Sequence, residues 1–364
     1  MIEQKALLLE KQCGALVLGT RPIPKPGSGE LLVKVQAVGL NPVDWKIQRN
    51  GFVVKKEDYP TVLGTDIAGD VETLGEGVDA EKWSKGTRVF FQGKYTADTA
   101  GFQQYTLIPA DLAAKIPPKL AYSEAASIPV AFVAAAYGLF APKPLGGALN
   151  PEFDNSVKFT GKSSLVIGGN TSVGQYSELF ANSSNGVETS TFTAIQLLSK
   201  VLGFSQVIAY ASKSSEDYLK SLGATRIIDR HQTTLQDLPS VIREITTDRP
   251  LKVVYDAFGS SEGHDIGFSL LVDDGLFCTV DPSRTDITEN GKRAFGVFGI
   301  VHLPTHRDYG VKLIEQLERL AEEDVIVPNR VLDLPNGLAG IVEGLETVKN
   351  DKTGGYKLVA HPQD

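Results

Sequence analysis

The chain is poor in the residues that build metal and disulfide frameworks. It holds two cysteines, Cys13 and Cys278, in 364 residues, too few and too far apart for a disulfide scaffold or a cysteine-based metal cluster. Such sparing cysteine usage fits a reducing compartment, and a cytoplasmic location is the expectation. No apolar run approaches the length that spans a bilayer, and Met1 to Lys5 lead into no signal-type apolar core, so neither a membrane span nor a signal peptide is expected. There is no excess of basic residues either: the net charge is -8, which argues against nucleic acid or an anionic membrane as a main partner. What remains, 42% hydrophobic and 22% charged residues, is the balance of a soluble globular protein long enough for two domains.

The first part of the chain reads as antiparallel β-structure. Strand-like runs at 5–9, 15–17 and 31–38 are separated by the turn-rich Pro22-Ile23-Pro24-Lys25-Pro26-Gly27, and glycines between β-branched runs farther on predict a small barrel with tight corners. Asn41-Pro42 opens a short helix carrying Asp44 and Lys46. An apolar helix over 129–140 stands between two domains. From Ser164 to about Val301 strands and helices alternate, the pattern of a parallel, doubly wound sheet. The last stretch predicts a helix near 309–323, a strand at 325–327 and a helix near 337–348.

Within the alternating region the apolar run Ser164 to Ile167 meets Gly168, Gly169, Asn170, Thr171, Ser172, Val173 and Gly174. Small residues between a strand and a helix start suit a phosphate, because the first amides of a helix are unpaired and attract anions. Taken alone the spacing is weak, since the middle glycine of the usual fingerprint is missing, and a plain strand-to-helix turn reads the same way. The end of the second strand of this region, Ala209-Tyr210-Ala211-Ser212-Lys213-Ser214-Ser215, has no acid to hold ribose hydroxyls. It offers hydroxyls and an ammonium to a 2′-phosphate instead, which points to NADPH; a solvated helix cap is the competing account of Ser212 and Lys213.

Seven motifs in a fixed order extend the argument: GLNPVDWK (39–46), YPTVLGTDIAGDVETLGEGV (59–78), KGTRVF (85–90), GFQQYTLI (101–108), VIGGNTSVGQY (166–176), GATRIID (223–229) and GGYKLV (354–359). Together they resemble the medium-chain dehydrogenase/reductase superfamily, and more narrowly its zinc-free branch of quinone oxidoreductase-like enzymes and enoyl reductases, including the free-standing enoyl reductases of fungal polyketide synthesis. The resemblance implies an α/β protein with a GroES-like β-barrel domain, 1–130 with a C-terminal return 302–364, and a doubly wound Rossmann domain, 131–301. It places the active-site cleft between them.

In the zinc enzymes of the superfamily a cysteine lies near the position of Asn41, and a His-Glu pair matches Thr65 and Asp66; this chain has neither that cysteine nor that histidine. No metal site is expected, and without a Lewis acid reduction of a conjugated C=C or a quinone is favoured over alcohol oxidation. An enoyl or enone reductase is the leading expectation, with a quinone or carbonyl reductase of the same fold and a cofactor-binding protein with little turnover as the alternatives. The resemblance makes Lys46 and Asn41 the catalytic candidates, with Asn41 and Asp66 shaping the polar network of the cleft. Gly168 to Gly174, Ser212, Lys213, Arg230, Cys278, Val280, Phe298 and Lys357 are its cofactor-side candidates. Cys278 reads as a buried strand residue, and Phe52, Phe132, Phe298 and His302 as candidate pocket walls. Tyr95 and Tyr105 are possible proton donors, because Ala134 stands where polyketide-type relatives often carry a hydroxyl. The implied partner is a small-molecule substrate, with an acyl thioester on a synthase as one class, and both a monomer and a homodimer remain open. Joining Tyr176 directly to Ala194 restores a family-like helix, so 177–193 is read as an insertion, either a surface lobe or a retained intron.

Overall fold

A computed structural model describes residues 2–168 and 188–364, which divide into two compact units. The first comprises Met1–Val130, Val301–Glu323 and Val327–Asp364, the second Ala131–Ile300 and Asp324–Ile326.

The first unit contains β1 (Glu3–Leu9), β2 (Leu16–Pro22), β3 (Glu30–Gly39), α1 (Pro42–Asn50), β4 (Thr61–Val62), β5 (Asp66–Leu74), β6 (Arg88–Gln92), β7 (Tyr105–Pro109), β8 (Ala114–Lys115) and α2 (Tyr122–Ala125). Strand β3 is its spine. Antiparallel partners β5 and β7 pair with it, and Leu31, Val33, Val35, Ala37 and Val38 are buried along it. Each fully buried aliphatic side chain of this kind contributes ~1.5–3 kcal/mol relative to exposure. Helix α1 starts where the sequence predicts, with Pro42 in its first turn, where a missing N–H is harmless. It ends at Gly51, whose φ of 68° is the left-handed cap that favours glycine.

After α3 (Pro129–Phe140) the second unit runs through β9 (Ser163–Ile167), α4 (Glu188–Gln196), β10 (Gln206–Ala211), α5 (Glu216–Leu222), β11 (Arg226–Asp229), α6 (Leu238–Ile245), β12 (Leu251–Asp256), α7 (Ser261–Leu270), β13 (Leu276–Thr279), β14 (Ile287–Glu289) and β15 (Lys292–Gly296). Its seven strands lie in the order β11-β10-β9-β12-β13-β15-β14. All pairings are parallel except the edge hairpin of β14 with β15, so the doubly wound reading holds. The order reverses between β9 and β12, the switch point at whose carboxyl ends ligands bind in such sheets. Leu165, Ile167, Ile208, Val254 and Phe277 from the sheet pack with Leu238 and Ile242 of α6 in one apolar cluster.

The chain then returns with α8 (Arg307–Glu322), β16 (Val331–Asp333), α9 (Gly337–Lys349) and β17 (Lys357–Ala360). The strand expected at 325–327 does not form. Those residues follow the end of α8 as a turn, with the Asp324 and Val325 carbonyls accepting from Lys200 Nζ, and the strand lies instead at Val331–Asp333, where it pairs in parallel with β17. Part of the expected insertion, 177–193, falls within the described residues. Its last six residues, 188–193, open α4, and Thr191, Phe192 and Thr193 are buried. Gly168 fits here because a Cβ on it would lie 2.1 Å from Thr191 Oγ1. Among the described residues one stretch, Tyr122–Phe140, is long and apolar enough to cross a membrane by composition, and 83% of it is buried inside the protein, as in a core helix.

Candidate active site

The first unit builds a buried polar centre from three distant segments. Asn41 caps α1, Asp66 begins β5 and Lys357 begins β17. Lys357 Nζ donates to Asp66 Oδ2 at 2.6 Å and to Asn41 Oδ1 at 2.7 Å, and Asn41 Nδ2 donates to the same Asp66 oxygen at 2.9 Å. The other Asp66 oxygen accepts from the Val130 N–H at 2.7 Å. Lys357 is 3% exposed and Asp66 fully buried, so ammonium and carboxylate are both out of water and compensate each other. Asn41 and Lys357, far apart in the sequence, thus meet directly.

Asp44 lies one turn into α1. Its Oδ2 accepts from the Asn41 N–H at 2.8 Å and its Oδ1 from the Gly64 N–H at 3.2 Å, the return arm of a helix-capping arrangement. Burial pushes its carboxyl up to about 7, helped by Asp66, against the pull of the two amides and of Lys357. The sequence places Asp44 on the short helix but does not show this loss of water. Close by, Tyr95 OH lies 3.3 Å from Thr65 Oγ1. Burial and then the Asp44 charge push the Tyr95 phenol well above its ordinary value, so it remains a hydrogen-bond donor throughout the physiological range.

Lys46 is half-buried, with Nζ 5.8 Å from the centroid of the Trp45 ring. His302 Nε2 bonds the Gln92 carbonyl at 2.7 Å, and burial brings the ring down to about 4. It is therefore a neutral donor in a fixed tautomer.

In the second unit the carboxyl ends of the strands carry the remaining candidates. Ser212 follows β10, its hydroxyl 2.9 Å from that of Ser214. Lys213 forms an ion pair with Glu216, which also pairs with Lys220 at 2.8 Å. Arg230 follows β11, and its Nε is buried without a hydrogen-bond partner. The Asp229 carboxylate beside it accepts from the Lys213 and His231 amides. A group with several anionic oxygens next to Arg230 and Ser212 would satisfy that orphaned donor.

Cys278 is buried in β13 with Sγ 3.8 Å from the Val254 carbonyl, and burial raises its thiol, so it is inert, as expected of a strand residue. Val280 directly follows, its N–H donating to the Asp256 carbonyl at 3.0 Å. Phe298 is 39% exposed, while the adjoining Gly299 packs on Ala134, where a Cβ would lie 2.8 Å from Ala134 Cα. Phe132 is fully buried. Gly169, Asn170, Thr171, Ser172, Val173 and Gly174 fall outside the described residues.

Asp256, not anticipated from the sequence, ends β12 at the switch point. Its carboxylate accepts from the Phe258 and Gly259 amides and from Thr279 Oγ1, and burial still brings it up to about 6. An acid closing an apolar run, Val253-Val254-Tyr255-Asp256, was the available signal.

Comparison with known proteins agrees with this architecture. Residues 27–118 match the alcohol dehydrogenase GroES-like domain. A zinc-type alcohol dehydrogenase-like protein of Schizosaccharomyces pombe is 30% identical over 98% of this chain and 99% of its own length. A trans-enoyl reductase of Trichoderma harzianum is 27% identical over 93% of this chain and 90% of its own. The crystal structure of an alcohol dehydrogenase superfamily protein from Novosphingobium aromaticivorans superposes with a TM-score of 0.75 at 23% identity, covering 98% of both chains. With GroES-like and Rossmann domains in place and a full-length relative at this identity, the chain belongs to the medium-chain dehydrogenase/reductase superfamily.

Proposed function

We propose that the protein is an NADPH-dependent oxidoreductase that works without zinc and reduces the C=C of an α,β-unsaturated carbonyl, acting on a small molecule in the cytoplasm. The observation that carries this reading is the Asn41–Asp66–Lys357 centre. Where a metal enzyme needs free donors, Asp66 already has both oxygens committed and a lysine ammonium against it, and among the described residues no cluster of His, Cys, Asp or Glu suits a metal ion. An alkoxide then lacks its Lewis acid, whereas an enone or enoyl thioester accepts hydride with hydrogen bonds alone. The trans-enoyl reductase among the relatives supports the same substrate class.

NADPH, when bound, supplies the hydride. Of the chain's own groups, Arg230, Ser212 and Lys213 would hold the 2′-phosphate, and Lys46 is the candidate to orient the substrate carbonyl. Tyr95 retains its proton and is available as a donor. The test is NADPH oxidation measured with an enoyl thioester, an enone and a quinone, before and after exhaustive chelation. Turnover of the first two, unchanged by chelator, is expected. Quinone turnover alone would move the substrate class, and activity lost to chelation and restored by zinc would overturn the metal-free reading. Arg230→Ala should narrow the preference for NADPH over NADH by about tenfold, the worth of one charge-assisted hydrogen bond.

A further inference from the structure

Gln103, in the 101–108 motif, is fully buried, and its amide uses every donor and acceptor position it has. Nε2 donates to the Ala97 carbonyl at 2.8 Å and to the Ala100 carbonyl at 2.9 Å. Oε1 accepts from Arg21 Nη1 at 2.9 Å and from Gln4 Nε2 at 3.3 Å. Gln4 is turned for this by the Tyr105 N–H, which donates to its Oε1 at 2.6 Å. Two carbonyls on one side and two donors on the other leave the Gln103 amide a single orientation. With no surface exposed, it has no water to take the place of a lost partner. The bonds from Nε2 grip the loop 93–100, which leaves β6 and carries Tyr95, and those to Oε1 anchor the amide on β1 and β2.

The loop is also closed on itself. The Lys94 N–H donates to the Thr99 carbonyl, and the Thr99 and Ala100 N–H groups donate to the Thr96 carbonyl, each at 3.1 Å. At its start the Gly93 N–H donates to the Thr65 carbonyl at 2.8 Å. A Cβ on Gly93 would lie 2.7 Å from Ile67 Cδ1 and 2.8 Å from the Thr99 carbonyl oxygen, so the loop cannot swing there without a clash. The two residues before Gln103 hold the other half of the pair. The Gly101 N–H donates to the Gly64 carbonyl at 2.7 Å, and the Phe102 N–H to the Leu63 carbonyl at 2.9 Å. One short motif therefore fixes both the Tyr95 loop and the segment of Thr65, and with them the 3.3 Å between the two hydroxyl oxygens. Arg21 also pairs with Asp98 of the loop, but Asp98 is 54% exposed, which makes that tie the weaker one.

We propose that Gln103 is a positioning residue for proton delivery: it fixes the loop so that Tyr95 stands beside Thr65 with its phenol hydrogen directed to the substrate. Thr65, donating to the phenol oxygen, leaves that hydrogen free. This deepens the proposed function and rests on it. Hydride arriving at the β-carbon of the unsaturated carbonyl leaves an enolate. Its α-carbon gains the Tyr95 proton as the O–H bond breaks, and the phenolate then takes a proton from water. Gln103 acts through Tyr95.

The experiment substitutes Gln103→Met in the full chain, which keeps an apolar side chain of similar length and removes the amide. Amide hydrogen exchange at Lys94, Thr99 and Ala100 should accelerate about tenfold or more while that of β9 stays as it is. The Tyr95 ring resonances, read with isotope-labelled tyrosine and assigned by their loss in Tyr95→Phe, should move toward those of an exposed tyrosine. Unchanged exchange and an unmoved ring overturn the brace. With an enone at saturating NADPH, Gln103→Met should lower kcat about tenfold and leave NADPH affinity within about twofold. In a Tyr95→Phe background the same change should cost less than about twofold, because the group it positions is already gone. An equal loss in both backgrounds overturns the positioning role, and an undiminished kcat in Tyr95→Phe overturns the proton delivery. If Gln103→Met fails to fold, Gln103→Glu keeps the acceptor for Arg21 and Gln4, withdraws the N–H groups from the loop, and is read in the same way. Absence of turnover with every enone would count against the proposed function, while exchange and the Tyr95 ring would still decide whether Gln103 fixes the loop.

Discussion

Two groups of charged side chains in this protein solve opposite problems. In the first unit Lys357, Asp66 and Asn41 come from segments separated by up to 316 residues, are buried, and engage both oxygens of Asp66. In the second unit Lys213, Glu216 and Lys220 lie within two turns of one another, and Lys213 keeps 62% of its side-chain surface in water. A buried ion pair is expensive to break because the surviving charge is stranded, whereas an exposed pair exchanges partners at little cost. The first arrangement fixes a structure; the second leaves its charges at the surface.

The largest test of that contrast removes Lys357. Lys357→Met leaves the Asp66 carboxylate in the interior with only the Asn41 amide and the Val130 N–H, and should lower stability by about 3–5 kcal/mol in urea denaturation. Adding Asp66→Asn removes the stranded charge and should recover at least half of that loss. A single variant as stable as the wild type would mean that the pair is not desolvated as the geometry shows.

A second comparison sets Asp44 in the first unit against Asp256 in the second. Both are fully buried, with burial holding their carboxyls up at about 7 and about 6 against an ordinary value of 3.8. Because the folded-state value is raised, the stabilising contribution is present in full below the ordinary value and is lost as pH rises through the folded one. For Asp44 the loss begins above about pH 4, is complete a little above pH 7, and amounts to about 4 kcal/mol. Unfolding free energies of Asp44→Asn measured at pH 5 and pH 8 should fall less steeply than the wild type. Asp256→Asn should flatten the curve less and at a lower pH, because the step at Asp256 is smaller. Wild-type stability that rises between these pH values would contradict both placements.

Much of this was legible in the sequence, for reasons particular residues make plain. Continuous apolar runs such as Leu165 to Ile167 and Val253 to Tyr255 mark buried parallel strands, and Asn41-Pro42 with Gly51 brackets α1. Local pattern fails where a residue's role is set by a partner far along the chain. Lys357 reads as a cofactor-side lysine, and its meeting with Asp66 becomes visible only when β17 is laid against β3. The 325–327 run is apolar enough for a strand, yet pairing with β17 selects 331–333 instead. His361 has no partner near it in sequence, and it meets Gln36, Asp333 and Ser123 only because β3, β16 and α2 converge on it.

The smallest expected effect concerns the exposed group. Lys213 and Lys220 together hold the Glu216 carboxyl down at about 2, so it is ionised at every working pH and competes with any anionic ligand for the Lys213 ammonium. Glu216→Gln removes the competitor without touching Lys213, and because exposed pairs exchange freely its effect on stability should be negligible. NADPH affinity, measured by fluorescence titration, should then rise about two- to threefold at low salt, with NADH unchanged, and the gain should shrink as salt screens the ammonium. If affinity falls instead, Glu216 is holding Lys213 in its productive orientation. The contrast with the first unit would then narrow, because a local, solvent-exposed pair would be preorganising a site in the way the buried one preorganises a fold.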